Sequence, residues 1–188
     1  MSQRHLRILG TRGVPAAHGG FETFAEHLAL YLIDRGWRVT VYCQEEGNGL
    51  VFEDDWRGVR RVRIPVATLG AAWTVVFDWK STLHAGREND LVLTLGYNTA
   101  VFCLWYRLQG IRNVINMDGI EWRRQKWGRV AKTWFWLNDW AGCWFGNHLV
   151  ADHPEIKTHL STRVQMDKIT MIPYGSDRIE RADMEALR

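Results

Sequence analysis

The sequence predicts an α/β domain built on a doubly wound parallel sheet of about seven strands. Short apolar runs bounded by turn residues recur along the chain, and longer stretches of helical period separate most of them. Strands that alternate with helices are joined by right-handed crossovers, which place helices on both faces of a parallel sheet. A chain of 188 residues is long enough to bury one sizeable core.

The expected elements follow in order along the chain. The predicted strands are residues 6–10, 38–43, 60–65, 91–96, 112–117, 148–152 and 168–173. The predicted helices are residues 21–35, 71–87, 98–109, 122–145 and 154–161. We expect residues 1–175 to form one domain, and we expect the charged tail 176–188 to begin a connection to further chain.

Composition narrows the class of protein. A hydrophobic share of 46% with only four prolines excludes a disordered or collagen-like chain. The net charge of +3 is too mild to indicate nucleic acid as a partner. Cys43, Cys103 and Cys143 are widely spaced in apolar segments, which predicts reduced core thiols and a cytoplasmic protein.

Targeting signals are not expected. The first ten residues contain no apolar segment of the kind that a signal peptide requires. The longest uncharged run, residues 91–106, is shorter than the roughly 20 residues that span a bilayer. The sequence therefore predicts no membrane-spanning segment.

Glycines and short polar residues gather after the predicted strands. The segments "TRGVPAAHGG", "GYN", "DGIEW", "HPE" and "YGSD" each follow one. In an open parallel sheet, ligands bind beyond the carboxyl ends of the strands. Turn chemistry explains any single segment equally well, but the gathering of several favours a cleft.

Gly19 and Gly20 precede a predicted helix in which a buried apolar stripe recurs at helical spacing. Its members are Phe21, Phe24, Leu28, Tyr31 and Leu32. A helix N-terminus has unpaired amides and partial positive charge, so a glycine pair there leaves room for an anion. Glu22 is favoured in the first turn by the helix dipole, whether or not it contacts a ligand.

Two common phosphate-binding patterns are missing from this loop. It lacks the Gly-Lys-Ser/Thr ending of a P-loop and the GxGxxG of a dinucleotide-binding turn. NAD or ATP binding on the loop is therefore disfavoured. The remaining candidate anion for this loop is a phosphate group that is presented by a facing domain.

The sequence resembles the N-terminal half of a retaining GT-B glycosyltransferase of family 4. The segments that carry this resemblance are "ILGTRGVPAAHGGFETFAEHLALYLIDRGWRVTVYC", "LGYNTAVF", "NMDGIEW", "ADHPEIKTHL" and "IPYGSD". The resemblance as a whole extends over nearly the entire chain. It is most similar to a bacterial subset, often called rhamnosyltransferases, that builds surface polysaccharides. The resemblance implies one Rossmann-like domain of a two-domain enzyme.

The resemblance also implies roles for the glycine loop. In that family, the corresponding loop reaches across the cleft to the donor diphosphate, which would put the Gly19 and Gly20 amides on the phosphates. Arg12 and His18 could add donors, although charged loop residues are more often simply exposed.

Asp118 occupies the position where many members carry a histidine that faces the acceptor hydroxyl. A carboxylate there could accept the acceptor proton or bind a sugar hydroxyl. Asp118 and Glu121 also have capping-box spacing, so Asp118 could instead be only a helix N-cap.

Further cleft residues follow from the same resemblance. The candidate acceptor-side set contains Glu22, Tyr97, Asn98, Glu121 and Tyr174. Asn98 or Thr99 could equally cap the helix that follows. His153 and Pro154 have the pattern of a helix N-cap and first residue, which is structural.

Eleven tryptophans are unusual, and several lie in the predicted helix 122–145. One predicted buried stripe contains Trp127, Val130, Trp134, Leu137, Ala141 and Trp144. Trp136 and Trp140 fall outside it, and they share the helix with Arg123, Arg124, Lys126, Arg129 and Lys132. Tryptophan beside cations suits the anionic inner leaflet of a membrane. Extra core contacts or the packing of a partner are the alternatives.

The resemblance implies transfer of a hexose, with retention, from a nucleoside-diphosphate sugar to a saccharide acceptor carried on polyprenyl diphosphate. We expect no cofactor and no required metal, because the acidic run 53–55 is expected in a solvated loop. The family's C-terminal donor domain does not fit in 188 residues, so this chain alone should be incomplete and inactive.

The sequence leaves two rival functions open. The first is a noncatalytic, membrane-associated subunit that binds an acceptor or recruits a donor-binding partner. The second is a nucleotide-dependent oxidoreductase or epimerase, which is disfavoured because the dinucleotide fingerprint is not seen.

Overall fold

A computed structural model describes residues 3–17 and 19–175, which form an α/β domain around one eight-stranded sheet. The strands are β1 (His5–Leu9), β2 (Arg38–Glu46), β3 (Phe52–Trp56), β4 (Val59–Val66), β5 (Leu91–Leu95), β6 (Asn113–Asn116), β7 (His148–Ala151) and β8 (Ile169–Met171). The helices are α1 (Gly19–Ile33), α2 (Ala71–Ala85), α3 (Leu104–Gln109), α4 (Arg129–Phe145) and α5 (Pro154–Ser161). Short 3-10 turns lie at Ala100–Cys103, Glu121–Arg123 and Met166–Lys168.

The strand order β3-β4-β2-β1-β5-β6-β7-β8 confirms the doubly wound fold. From β1 the chain moves outward to β2 and then to β3 and β4, before β5 returns to the other side of β1. Every pair of neighbours is parallel except β3 with β4. The loops after β1 and β5 therefore diverge at the reversal of strand order, where open α/β sheets bind ligands.

Strand β3 was not expected, because the sequence predicted a solvated loop for residues 53–55. These residues instead form an antiparallel edge strand against β4. The acidic side chains pair with cations of the neighbouring strand: Arg60 with Glu53 at 2.6 Å and Arg61 with Asp54 at 2.7 Å. Such cross-strand ion pairs stabilise a strand that has little apolar surface of its own.

The two faces of the sheet bury separate apolar clusters. On one face, Ile8, Val41 and Leu95 pack beneath α1, which contributes Ala25 and Ala29. On the other face, the cluster lies beneath the helices α2 to α5. Helices therefore cover both faces, as the crossover rule predicts.

Helix α1 follows the predicted stripe with one exception. Phe21, Phe24, Leu28 and Leu32 are half-buried against the core, whereas Tyr31 is exposed. The guanidinium of Arg35 lies over the Tyr31 ring at 3.4 Å from its centroid. The prediction that Tyr31 is buried was wrong, because small Ala25 and Ala29 let the helix backbone approach the sheet directly.

Other local predictions are confirmed. Cys43, Cys103 and Cys143 are buried and free. The ring of His153 accepts a hydrogen bond from the Glu155 amide at 3.2 Å and caps α5, which begins at Pro154. The predicted helix 122–145 starts later, however, because residues after the turn Glu121–Arg123 stay irregular up to Gly128.

Candidate functional site

The loop between β1 and α1 is the first component of the candidate site. It leaves β1 at Gly10, where a Cβ would stand 2.0 Å from the Leu95 carbonyl oxygen, so only glycine fits. Helix α1 then begins at Gly19, and Gly19 and Gly20 are both exposed. A Cβ on Gly20 would meet no described atom within 4 Å, whereas a Cβ on Gly19 would lie 2.9 Å from Oε2 of Glu22. His18 lies outside the described residues.

Two carboxylates of α1 hold this loop. Glu22 accepts a hydrogen bond from the Arg12 amide at 3.1 Å, and Glu26 accepts one from the Ala16 amide at 2.6 Å. The sequence did not indicate the role of Glu26. Both carboxylates order backbone that would otherwise be free, so Glu22 acts on the shape of the site.

A cavity of about 270 Å³ lies beside the loop and is lined by Arg12, Arg61 and Arg63. Arg61 donates to Asp54 at 2.7 Å and to the Val14 carbonyl oxygen at 3.0 Å. Arg63 pairs with Asp54 and with Glu45. Arg12 is exposed at the mouth of this cavity.

The segment after β5 supports the site from below. Gly96 lies under the ring of Phe21, so the start of α1 rests directly on this segment. Tyr97 is buried, and its hydroxyl accepts a hydrogen bond from the Glu121 amide at 2.7 Å. Burial raises the pKa of Tyr97 well above its usual value. Tyr97 therefore connects two loops and presents little surface to a ligand.

Asn98 and Thr99 differ in exposure. Asn98 is exposed, and its carbonyl oxygen accepts a hydrogen bond from the Trp134 indole at 2.8 Å. The Thr99 hydroxyl donates to Asp78 at 2.8 Å and makes no cap to the turn that follows. The Thr99 side chain thus joins α2 to the loop.

The loop after β6 carries Asp118. The capping-box alternative was wrong, because the N-cap of the following turn is Ile120 and no side chain caps it. Glu121 instead accepts from the Trp127 indole at 2.9 Å and pairs with Arg124 at 3.0 Å. Asp118 is thereby left available for other contacts.

Asp118 lies beside Asp152, a residue that was not among the site residues predicted from the sequence. Asn116 pairs with Val150 across β6 and β7, and two residues further along each strand come the two aspartates. Their carboxyl groups are within hydrogen-bond reach of each other. Burial and the neighbouring Asp152 carboxyl raise the pKa of Asp118 to about 6. The signal in the sequence was an aspartate at the carboxyl end of each of two predicted strands, directly after one and as the last residue of the other.

Tyr174 completes this part of the edge. Its hydroxyl accepts a hydrogen bond from the side-chain amide of Asn116 at 2.9 Å. Its ring meets the ring of Phe24 edge-on at 5.9 Å between centroids. Burial raises the pKa of Tyr174 to about 12. Phe24 belongs to α1, so Tyr174 and the carboxyl pair lie on the face of the sheet that α1 covers.

Helix α4 exposes several of its large apolar residues, although Phe135 and Phe145 pack against the core. Its buried side contains Asn138, Asp139, Gly142 and Cys143 together with Ala141. The predicted buried stripe was therefore wrong for four of its members, because satisfied polar side chains occupy the interior instead. The exposed large side chains on the helix are Val130, Trp134, Trp136, Leu137 and Trp144.

The aromatic side chains of α4 form a row. The ring of Trp140 lies 6.3 Å from that of Trp136 and 5.4 Å from that of Trp144. Trp140 is half-buried, and the guanidinium of Arg163 lies 4.3 Å from its ring centroid. The cations expected at this surface are Arg123, Arg124, Lys126, Arg129 and Lys132, of which all but the half-buried Lys132 are exposed.

Within residues 3–17 and 19–175, no helix combines the length and the apolar character needed to cross a membrane. The same described part of the chain contains no group of three or more His, Cys, Asp or Glu side chains arranged to hold a metal ion.

Comparison with protein families gives one match over most of the chain. The family described as a domain of unknown function, DUF1972, matches residues 3–177. No curated protein matches the sequence.

Solved structures similar to the chain include one complex with UDP, one UDP-glucosyltransferase and one trehalose 6-phosphate synthase. The crystal structure of LpCGTa in complex with UDP has a TM-score of 0.59 at 10% identity and covers 95% of this chain. A UDP-glucosyltransferase from Polygonum tinctorium has a TM-score of 0.56 at 10% identity and covers 99%. The α,α-trehalose 6-phosphate synthase from Burkholderia multivorans has a TM-score of 0.52 at 8% identity and covers 89%.

The likeness to these structures establishes the fold. The chain has the Rossmann-like fold found in one half of a GT-B glycosyltransferase. It spans about half the length of the structures that it matches, namely 56%, 55% and 43% of the three.

Proposed function

The chain belongs to the DUF1972 family, and we propose that it is the acceptor-side half of a retaining GT-B glycosyltransferase. The proposed reaction transfers a sugar from a nucleoside-diphosphate sugar to a hydroxyl group of a saccharide. One observation carries this proposal. The exposed start of α1 at Gly20 and the carboxyl group of Asp118 both lie at the carboxyl edge, on the face that α1 covers.

The start of α1 is proposed to bind the donor diphosphate. The reaction releases a nucleoside diphosphate, whose negative charge grows as the glycosidic bond breaks. Fixed amides at a helix N-terminus stabilise such charge without reorganisation. Gly20 leaves the approach open, Gly19 lies beside the Glu22 carboxylate, and Arg12 at the cavity adds a cation. His18 is proposed as a further donor to the same group.

Asp118 is proposed to bind the attacking hydroxyl of the acceptor. When ionised, its carboxylate accepts a hydrogen bond from that hydroxyl and orients it toward the donor. Tyr174 borders the same space, and the exposed side chain of Asn98 lies after the neighbouring strand. Glu22 and Glu121 are engaged with backbone or cationic groups, so we propose that they shape the site.

The remaining half of the enzyme is proposed to bind the nucleotide and most of the donor sugar. The chain covers about half of the two-domain structures that it resembles. We propose that the residues described here do not transfer sugar without a second Rossmann-like domain. The diphosphate charge is then balanced by amides and cations, so the reaction needs no resident metal or cofactor.

The exposed side of α4 is proposed to contact the inner leaflet of the cytoplasmic membrane. Val130, Leu137 and Trp144 have 86%, 52% and 60% of their surface exposed, which is unusual for large apolar side chains. Residues 122–138 include five lysines or arginines and no acidic residue. Arg129 and Lys132 lie on α4 itself, whereas the other three cations lie in the segment before it, where Arg124 and Lys126 pair with Glu121. An apolar helix surface flanked by cations matches the interface of an anionic bilayer.

A membrane position would fit a lipid-linked acceptor. Acceptors for surface polysaccharides are carried on polyprenyl diphosphate, and the helix would bring the enzyme to that carrier. We therefore propose membership of glycosyltransferase family 4 and a role in surface polysaccharide synthesis, with rhamnosyl transfer as the first reaction to test.

The function is tested by turnover in the full-length enzyme. Release of nucleoside diphosphate is measured over a panel of nucleotide sugars, with saccharide acceptors, for the wild type and for Asp118→Asn. Asp167→Asn is the matched control, because Asp167 is exposed and precedes β8 at the opposite edge of the sheet. We expect a loss of about 100-fold for Asp118→Asn and none for the control.

Two outcomes would contradict the proposal. Absence of turnover with every donor would exclude the reaction. Turnover that is unchanged in Asp118→Asn would instead favour the noncatalytic recruitment subunit.

A further inference from the structure

We propose that Asp152 and Asn116 bind the acceptor sugar together with Asp118, and that the three residues form a binding site for two neighbouring hydroxyl groups. This inference rests on the proposed glycosyltransferase function and adds two residues to its acceptor site. The strands β6 and β7 fix the relative positions of the three side chains.

The three residues lie together by register. Asn116 and Asp118 are two residues apart, so their side chains lie on the same face of the extended chain. Asn116 pairs with Val150, and the Met117 amide donates to the Val150 carbonyl oxygen at 2.8 Å. Asp152 follows Val150 by two residues and therefore stands beside Asp118.

The shared face is the one covered by α1. Val114, two residues before Asn116, packs against the core cluster beneath that helix. The Asn116 side chain also reaches Tyr174, whose ring contacts Phe24 of α1. The three residues thus lie on the same side of the sheet as the glycine pair.

Two oxygen atoms in this cluster accept no hydrogen bond from an N–H group or a hydroxyl group of the residues that the structure describes. They are Oδ1 of Asn116, a residue only 4% exposed, and Oδ1 of Asp152. A buried acceptor without a donor costs about 1–3 kcal/mol, so such atoms are normally satisfied by water or by a ligand. Both atoms are acceptors, and the ligand must therefore supply donors.

A pair of sugar hydroxyl groups supplies what the cluster needs. Hydroxyls on adjacent ring carbons are two donors held in a fixed relation, so one can donate to Asn116 Oδ1 and the other to the carboxyl pair. A divalent cation is the competing occupant, because oxygen ligands also suit Mg²⁺. Titration with glycosides and titration with Mg²⁺ distinguish the two occupants.

Several charged and titratable groups surround Asp118. Asp152 lies on the neighbouring strand, Glu121 and Arg124 belong to the loop that follows, and Tyr174 approaches from the segment after β8. The pKa of Asp118 is raised by burial, by Asp152 and by Glu121, and it is lowered by Arg124. A proton taken up by the pair occupies an acceptor oxygen, so sugar binding should weaken as the pair becomes protonated.

The pairing is tested first, independently of any reaction. Carboxyl carbon NMR of the full chain follows the titration of Asp118 in the wild type, in Asp152→Asn and in the control Asp167→Asn. We expect an apparent pKa near 6 in the wild type, consistent with burial beside Asp152, and a clearly lower pKa in Asp152→Asn. An Asp118 titration that is the same in Asp152→Asn as in the wild type would overturn the pairing.

The ligand is tested with methyl hexopyranosides of gluco, galacto and manno configuration and with their deoxy analogues. Saturation-transfer NMR of the full chain is measured at pH 7.5 and at pH 5. We expect about a tenfold loss of affinity for the best glycoside in Asp152→Asn and in Asn116→Ala, and none in Asp167→Asn. In the wild type, affinity should fall at pH 5, and the fall should move to lower pH in Asp152→Asn.

The outcomes separate this inference from the proposed function. Glycoside binding that is unchanged in both variants overturns the inference, even if the full-length enzyme transfers sugar. Sugar binding through these residues without any transfer sustains the inference and contradicts the proposed function. Shifts of the Asp118 and Asp152 carboxyl resonances by Mg²⁺ alone would assign the site to a cation and overturn the proposed sugar-binding site.

Discussion

The indole nitrogen of Trp122 lies 2.8 Å from Oδ2 of Asp139, a buried carboxylate on α4. The same oxygen is 2.9 Å from His159 and 2.9 Å from Arg163. Trp122 belongs to the loop that carries Asp118. Helix α4 therefore holds the loop that carries Asp118 through the single carboxylate of Asp139. This contact explains why the buried side of α4 is polar.

Substitution of Asp139 by alanine should destabilise the domain strongly. It leaves the buried guanidinium of Arg163 without its counter-ion, which costs about 3–5 kcal/mol in free energy of unfolding. Trp122→Phe removes one of the donors to this carboxylate but leaves its ion pair with Arg163, so it should cost less, about 1.5–2 kcal/mol. Urea unfolding followed by tryptophan fluorescence and circular dichroism measures both changes. Equal, small losses would mean that the Asp139 cluster does not hold this region.

Stability should depend on pH through Asp118. Its pKa is about 6 in the folded chain, above the ordinary value of 3.8, because of burial and the Asp152 carboxyl. The folded state then binds more protons than the unfolded state between about pH 4 and pH 6, so stability falls as pH rises through that range. Since Asp118 is only half-buried, we expect a loss of about 1–2 kcal/mol, less than the full shift would give.

Asp118→Asn should remove this pH dependence and raise the stability at pH 7 relative to wild type. Urea unfolding at pH 4.5, 6 and 7.5 measures the change, with Asp167→Asn as control. An identical pH profile in wild type and Asp118→Asn would contradict the strained carboxyl pair. Functional carboxylates commonly carry such a stability cost.

The sequence predicted the parallel strands because each of them is a short apolar run that the sheet buries. Strand β3 escaped prediction because residues 53–55 are acidic, and only their pairing with arginines of β4 makes them a strand. Helical period likewise located the apolar residues of α4 without showing which side faces the core. The orientation depends on Asp139 and its partners, which are distant in sequence.

The candidate site was predictable in part for a similar reason. Gly19, Gly20 and Asp118 are adjacent to recognisable strand ends, so local pattern pointed to them. Asp152 acquires its importance only from the register between β6 and β7, which sequence does not specify. The sequence shows only that an aromatic residue, Tyr97, follows a predicted strand. The structure reveals that its hydroxyl accepts a hydrogen bond from the Glu121 amide.

Binding to anionic vesicles should depend on the exposed tryptophans of α4. Trp136→Ser/Trp144→Ser removes two indoles that are 44% and 60% exposed, and it should weaken binding about tenfold. Trp73→Ser/Trp79→Ser, which removes two exposed indoles of α2, is the matched control. Co-sedimentation with phosphatidylglycerol vesicles and with neutral phosphatidylcholine vesicles measures the difference.

Equal binding by the two double variants would mean that this face of α4 is not the membrane contact. Strong binding to neutral vesicles would contradict the role of the five cations. Protection of the α4 tryptophans by the donor-binding half, and not by vesicles, would identify the surface as a domain interface.

The glycine pair gives the most direct test of the central claim that this half contributes to the donor diphosphate site. Gly20→Val places a branched side chain over the helix N-terminus where a Cβ meets no described atom within 4 Å, so folding should be little affected. Gly128→Val is the matched control. Gly128 also lies at the start of a helix, and a Cβ there would meet no described atom within 4 Å.

The measurement is kcat/KM for the nucleotide-sugar donor in the full-length enzyme, with thermal unfolding recorded on the same samples. We predict that Gly20→Val lowers kcat/KM by about 100-fold or more, as expected for loss of amides that stabilise developing charge, while its unfolding temperature stays close to that of Gly128→Val. Donor turnover equal to that of Gly128→Val, or a loss matched by equal loss of folding, would contradict the claim.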